Sequence, residues 1–136
     1  MQEAGVVIGR SGQVLHWHLP ESRTITYLPD SRTLWDVLWE NRRLLVGFAH
    51  THPGTGIPAP SYEDVTTFAA IEAALGRRLV WWIVSDNRIV TCLHRESGKR
   101  LDYEVQNFGR VPEWVYVLRR ESGMLDDSQM EDENGS

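Results

Sequence analysis

The order of apolar and polar positions predicts most of the elements before any residue is given a role. Residues 6–8 and 14–17 are short apolar runs on either side of the turn residues 10–12, the pattern of a hairpin. Residues 24–28 read as a second extended piece. Leu34, Trp35, Leu38 and Trp39 recur at helical spacing after Asp30 and Ser31, either of which can cap a helix, and both tryptophans are expected in the core. Residues 44–52 read as a strand. Alternation places Leu44, Val46, Phe48, His50 and His52 on one face and Leu45, Gly47, Ala49 and Thr51 on the other. The second face is also apolar or small, so this strand is expected to be central and covered on both sides.

A loop over residues 53–60 follows, with three prolines and two glycines. Ser61 then opens a helix that runs to about Leu75 and stops at Gly76. Residues 79–84 and 89–94 form a hairpin around a turn at 85–87, and a further strand lies near 101–105. Residues 114–118 are apolar but too short to assign. The sum is a mixed α/β domain, with strands before, between and after two helices. Trp81 and Trp82 are adjacent on a strand, so one is expected inside and the other towards solvent.

With 136 residues, 41% hydrophobic and 24% charged, the chain has the composition of one ordinary globular domain. Its body is expected over 1–122 and an acidic, disordered tail over 123–136. Asp126, Asp127, Glu131, Asp132 and Glu133 in that tail equal the whole formal charge of −5, leaving the rest near neutral. A neutral body offers no clustered basic surface to phosphates, so nucleic acid is not expected as a partner. No apolar run approaches the ~20 residues of a membrane-spanning helix, and the start lacks a signal pattern, so a cytoplasmic protein without a membrane partner is expected. The single cysteine, Cys92, reads as a small buried hydrophobe, and any metal must be held mainly by His, Asp or Glu.

Those residue types meet around one strand. His50 and His52, two apart, project from the same face with Cα atoms roughly 6.5 Å apart, from where two imidazoles can converge on one ion. His16 and His18 share the spacing but have no further ligand nearby in sequence, so they serve as a control. His94 reads as a surface residue. Ser61 and Asp64 can form a capping box at the helix start. Asp64 also keeps helical spacing with Phe68, Ile71 and Leu75, the inward face, and a carboxylate aimed inward needs a partner such as a cation. Two imidazoles and one carboxylate leave a fourth tetrahedral position for water, the pattern of catalytic zinc.

The run His50, His52, Pro53, Ser61, Asp64 resembles the HxHP…SxxD signature of the JAMM metalloprotease family, also called JAB or MPN domains. The resemblance extends over about residues 2–105. It implies a single-domain α/β fold of the MPN/JAB, cytidine-deaminase-like kind, a mixed β-sheet flanked by helices. It further implies a zinc-dependent peptidase or isopeptidase, with His50, His52 and Asp64 on the zinc and Ser61 at the oxyanion. The implied partner is a protein or peptide substrate with an extended tail, ubiquitin-like modifiers among them. A non-catalytic MPN-type scaffold that still binds zinc is the alternative.

Two spacings depart from the family pattern. Seven residues separate Pro53 from Ser61 where six are usual. The family's general base lies three residues before the first glycine of ExxGxxxG; Gly5 and Gly9 match the glycines, but Gln2 holds the Glu position and Glu3 comes one place late. A one-residue slip reverses a side chain's face, so Glu3 serves as the base only if a bulge or a frayed start turns it inward. Glu21 and Glu40 are the fallback bases.

Overall fold

A computed structural model describes residues 1–124. Six strands and three helices follow in the order β1 (Gly5–Gly9), β2 (Val14–His18), α1 (Arg32–Glu40), β3 (Leu45–Thr51), α2 (Tyr62–Leu75), β4 (Val80–Val84), β5 (Ile89–His94), β6 (Tyr103–Asn107) and α3 (Glu113–Glu121). The strands form one sheet in the order β2-β1-β3-β4-β5-β6. Neighbours pair antiparallel except β3 and β4, which are parallel because α2 carries the chain back between them. None of the helices described is long and apolar enough to cross a membrane.

Helices cover both faces of the sheet, so adjacent residues of its inner strands are buried on opposite sides. On one face Val7, Leu45, Trp81, Ile83, Val90 and Cys92 pack under Leu34 and Leu38 of α1 and Phe68 and Ile71 of α2. On the other, Val6, Ile8, Ala49, Trp82 and Val84 pack under Trp114, Val115 and Leu118 of α3. Trp81 and Trp82 are therefore both buried, contrary to the expectation of one exposed indole. Cys92 lies fully inside, and burial pushes its thiol up to about 12, consistent with its reading as a hydrophobe.

β3 fits between its neighbours only because of Gly47. A Cβ there would stand 1.8 Å from the backbone oxygen of Val80 on β4, a clash that no side-chain movement relieves. The strand is also irregular at its start. Ile8 pairs with Gly47 but Gly9 with Leu45, so Val46 is an extra residue opposite β1. The bulge reverses the alternation predicted for residues 44–46: Leu45 joins the face of Phe48, and Val46 turns to the side of Ala49. From Phe48 onward the predicted faces hold.

Three further expectations change. Residues 24–28 form no strand but an irregular segment beside α1. Residues 114–118 belong to α3, which has Glu113 in its first turn and Arg119 and Arg120 in its last, charges that suit the helix dipole. Trp39 is 53% exposed, with the Arg42 guanidinium 4.1 Å over its ring, because Leu34 and Leu38 already form the buried stripe of α1. Met124 is buried and its N–H donates to the Arg119 carbonyl, so it packs with the body. Residues 125–136 of the expected acidic tail lie outside the described residues.

Candidate metal centre

His50 and His52 stand at the end of β3, where the strand leaves the sheet. Alternation brings both imidazoles to the α1/α2 face, and their Nε2 atoms lie 3.0 Å apart. The next loop turns back through Gly54 and Gly56, whose N–H groups donate to Asp86 Oδ1 and Asn87 Oδ1 in the β4–β5 turn. Ser85 Oγ also donates to the Gly56 carbonyl at 2.6 Å. These anchors fix a loop one residue longer than usual, and it delivers the start of α2 beside the two histidines.

There the capping box forms as its spacing predicts. Asp64 N–H donates to Ser61 Oγ at 3.0 Å, and Ser61 N–H donates to Asp64 Oδ2 at 2.9 Å. The box also aims the Asp64 carboxylate. Its Oδ1 lies 3.3 Å from His50 Nε2 and its Oδ2 3.1 Å from His52 Nε2. Burial alone raises the Asp64 pKa, but the hydrogen bonds from His50 and His52, the charge of His50 and the Ser61 N–H outweigh it and hold the carboxyl well below its usual range. For His52 the order is the same: burial disfavours its charge, yet the bond to Asp64 and the nearby carboxylates raise its pKa above 6.5.

Glu3 comes to this centre from β1. It lies two residues before Gly5, which pairs with His50, and four before Val7 on the α1/α2 face, so ordinary alternation turns it inward without a bulge. Nor is the start frayed. Gln2 N–H donates to the Ser122 carbonyl, Glu3 N–H to Thr24, and Ala4 N–H to Thr51 Oγ1, which is 2.7 Å from Ser122 Oγ. Glu3 is only 6% exposed while Gln2 is exposed. Burial is the main cause of a Glu3 pKa pushed up to about 7; His52 opposes the rise, and Asp64 and Glu63 add to it.

Among the described residues, Glu3, His50 and His52 form a group able to hold a metal ion, with ligand atoms within 4.8 Å of one another. His16 and His18 are not in it. Asp64 also lies at metal-donor spacing from both imidazoles. Donors bound at about 2.0–2.1 Å in a tetrahedral site stand roughly 3.3 Å apart, which is the spacing between Asp64 and the two imidazoles.

The other candidates are not in this ligand group, although His18 lines the cavity beside it. Glu21 and Glu40 are exposed. His94 packs on Tyr103 and takes a bond from Glu96 N–H. His18 is buried, its Nε2 2.6 Å from the Pro29 carbonyl, and burial lowers its pKa.

What the sequence does not disclose is a cavity of about 390 Å³ on which Glu3, His50, His52, Ser61 and Asp64 all open. Its remaining walls are mainly apolar and come from the irregular segment after β2, from α1, from α2 and from Phe48 and Trp81 of the sheet. The apolar residues Ile25, Tyr27 and Leu28, whose pattern predicts an extended piece, form part of its wall.

A six-stranded mixed sheet with helices on both faces, carrying two histidines at a strand end and a carboxylate at the following helix start, defines a JAB/MPN-type α/β domain. The chain belongs to the family of prokaryotic homologs of the JAB domain, whose sequence pattern it matches over residues 3–96. Among curated proteins, none matches the chain. The family match starts at Glu3 and includes His50, His52, Ser61 and Asp64, so the site and the family were reached from the same residues.

Proposed function

We propose that this protein is a zinc-dependent metallopeptidase or isopeptidase, with His50, His52 and Asp64 as metal ligands and Glu3 as general base. The observation that carries the reading is the contrast between the two carboxylates. Asp64 touches both imidazoles and stays ionised, as a ligand must, whereas Glu3 is held in a drier place at a pKa of about 7. Two carboxyl groups driven apart in this way mark separate duties.

His50, His52 and Asp64 would hold the zinc ion, which would supply Lewis acidity towards a substrate carbonyl and water near neutral pH. Glu3 accepts the proton of the attacking water and returns it to the leaving amine. The Ser61 hydroxyl takes the bond from Asp64 N–H on a lone pair, which leaves its own proton to donate to the developing oxyanion. A second carboxyl beside the histidines, besides Asp64, supports the catalytic reading over a scaffold that only binds zinc.

The experiment is hydrolysis of a peptide mixture by the purified chain, followed by mass spectrometry with and without a chelator. Cleavage should stop with the chelator and return with zinc. Ser61→Ala should lower kcat by about 10²-fold or more, as loss of an oxyanion donor does, and should also cost about 1 kcal/mol of stability as a lost cap. Ser61→Thr keeps a hydroxyl and should restore both. Cleavage indifferent to the chelator would reject the metallopeptidase reading.

A further inference from the structure

We propose that the cavity beside the metal centre is a specificity pocket for one bulky apolar side chain, aromatic or long aliphatic, next to the bond that is cleaved. The inference deepens the metallopeptidase reading and rests on it.

The cavity's direction comes from the elements that build it. Along β3, Phe48 lies one pleat, roughly 6.6 Å, before His50 on the same face. Along α2, Phe68 lies about one turn of 5.4 Å beyond Asp64. Strand and helix run in opposite senses away from their shared loop, so both steps lead the same way, from the polar centre into the apolar space. That length matches the reach of an aromatic side chain whose backbone lies at Ser61.

Two further observations point to an occupant. Phe48 is on an inner strand of the sheet, yet it is only half-buried, unlike Ala49 beside it. One side of its ring packs against the core, edge-on to Trp81, and the side chain also lines the cavity. At the rim, Ile25 and Tyr27 are 48% and 54% exposed, apolar groups that the fold itself does not bury. The volume of about 390 Å³ lies at the lower end of ligand cavities, about 300–1,000 Å³. A tail of glycines alone has no side chain to displace water from these walls, so the pocket selects against it.

The test uses the full chain and two N-acetylated pentapeptides that differ only in a central Phe or Gly. Affinity is read by calorimetry and by the fluorescence of Trp35 and Trp81, which line the cavity. It is measured both with zinc and with a chelator. The Phe peptide should bind about 10-fold tighter or more in both states, the scale expected for burying an aromatic ring. Thr67→Trp, at an exposed cavity position on α2, and Leu28→Trp, at a half-buried one, should each abolish the preference while circular dichroism stays native.

Equal affinities, binding of neither peptide, or a preference that survives in the folded variants would overturn the pocket. Hydrolysis of both peptides is followed in parallel. Equal cleavage without selective binding retains the peptidase and rejects the pocket; selective binding without any cleavage rejects the peptidase reading instead.

Discussion

Glu3 shows how far single residues can be read from sequence. Against the family motif it appears one place out of register, yet counted along its own strand it shares the parity of Gly5 and Val7, the face of His50. The information was in the alternation. What the sequence could not supply was the set of backbone ties through Thr24, Thr51 and Ser122 that keep so early a residue in place.

The buried Glu3 carboxyl has a stability cost with a defined sign. The unfolded chain ionises Glu3 near 4.5 and the folded chain near 7. Between those values the folded state holds more protons, so its stability falls as pH rises from 4.5 to 7 and stays lowered above. In the presence of a chelator, Glu3→Gln should therefore stabilise the protein by on the order of 1–3 kcal/mol at pH 8 and very little at pH 4. With zinc restored, the same variant should lose about 10²- to 10⁴-fold in hydrolysis, and Gln2→Ala should be near neutral. Denaturant melts at the two pH values check the first claim; equal effects at both would mean that Glu3 is not desolvated.

At the scale of elements, the long and strongly patterned pieces were legible, and the errors fall where tertiary packing overrides local pattern. The helix from Ser61 to Gly76 and the hairpin strands match their predicted places because caps and turns are local signals. Val46 lies on the opposite face because a bulge depends on the neighbouring strand, and α3 is not legible because its apolar run is short and unbroken and Pro112 gives no side-chain cap. Another packing feature escaped entirely.

Glu72, inside α2, is buried and accepts bonds from Leu79 N–H, Trp81 Nε1–H, Arg78 and the Tyr103 hydroxyl, which ties the helix end to β4 and β6. No periodicity marks a charged residue as the centre of such a network. Glu72→Ala should cost about 3 kcal/mol or more by leaving buried donors unpaired, and Glu72→Gln less. Thermal unfolding measures both, and zinc stoichiometry should not change. Gly47→Ala should do more damage, because its Cβ would push β4 from β3 and carry His50 and His52 with it.

For the whole molecule, the architecture explains why the candidate metal ligands of one short segment come together. The parallel pair β3 and β4 requires a crossover, the crossover is α2, and its first turn must therefore start beside the end of β3. The two histidines and the capping aspartate meet because of that topology, while His16 and His18, with the same spacing on β2, gain no such partner.

The central claim is that this meeting point holds one metal ion through His50, His52 and Asp64, with Glu3 beside it. The most direct measurement is the zinc content per intact chain after equilibration and gel filtration, read by elemental analysis for the natural protein and for single variants. About one zinc per chain is predicted for the natural protein, Glu3→Gln and His16→Ala, and nearly none for His50→Ala, His52→Ala and Asp64→Ala. Loss of zinc from Glu3→Gln with retention in Asp64→Ala would contradict the account, since it would exchange the ligand and the base.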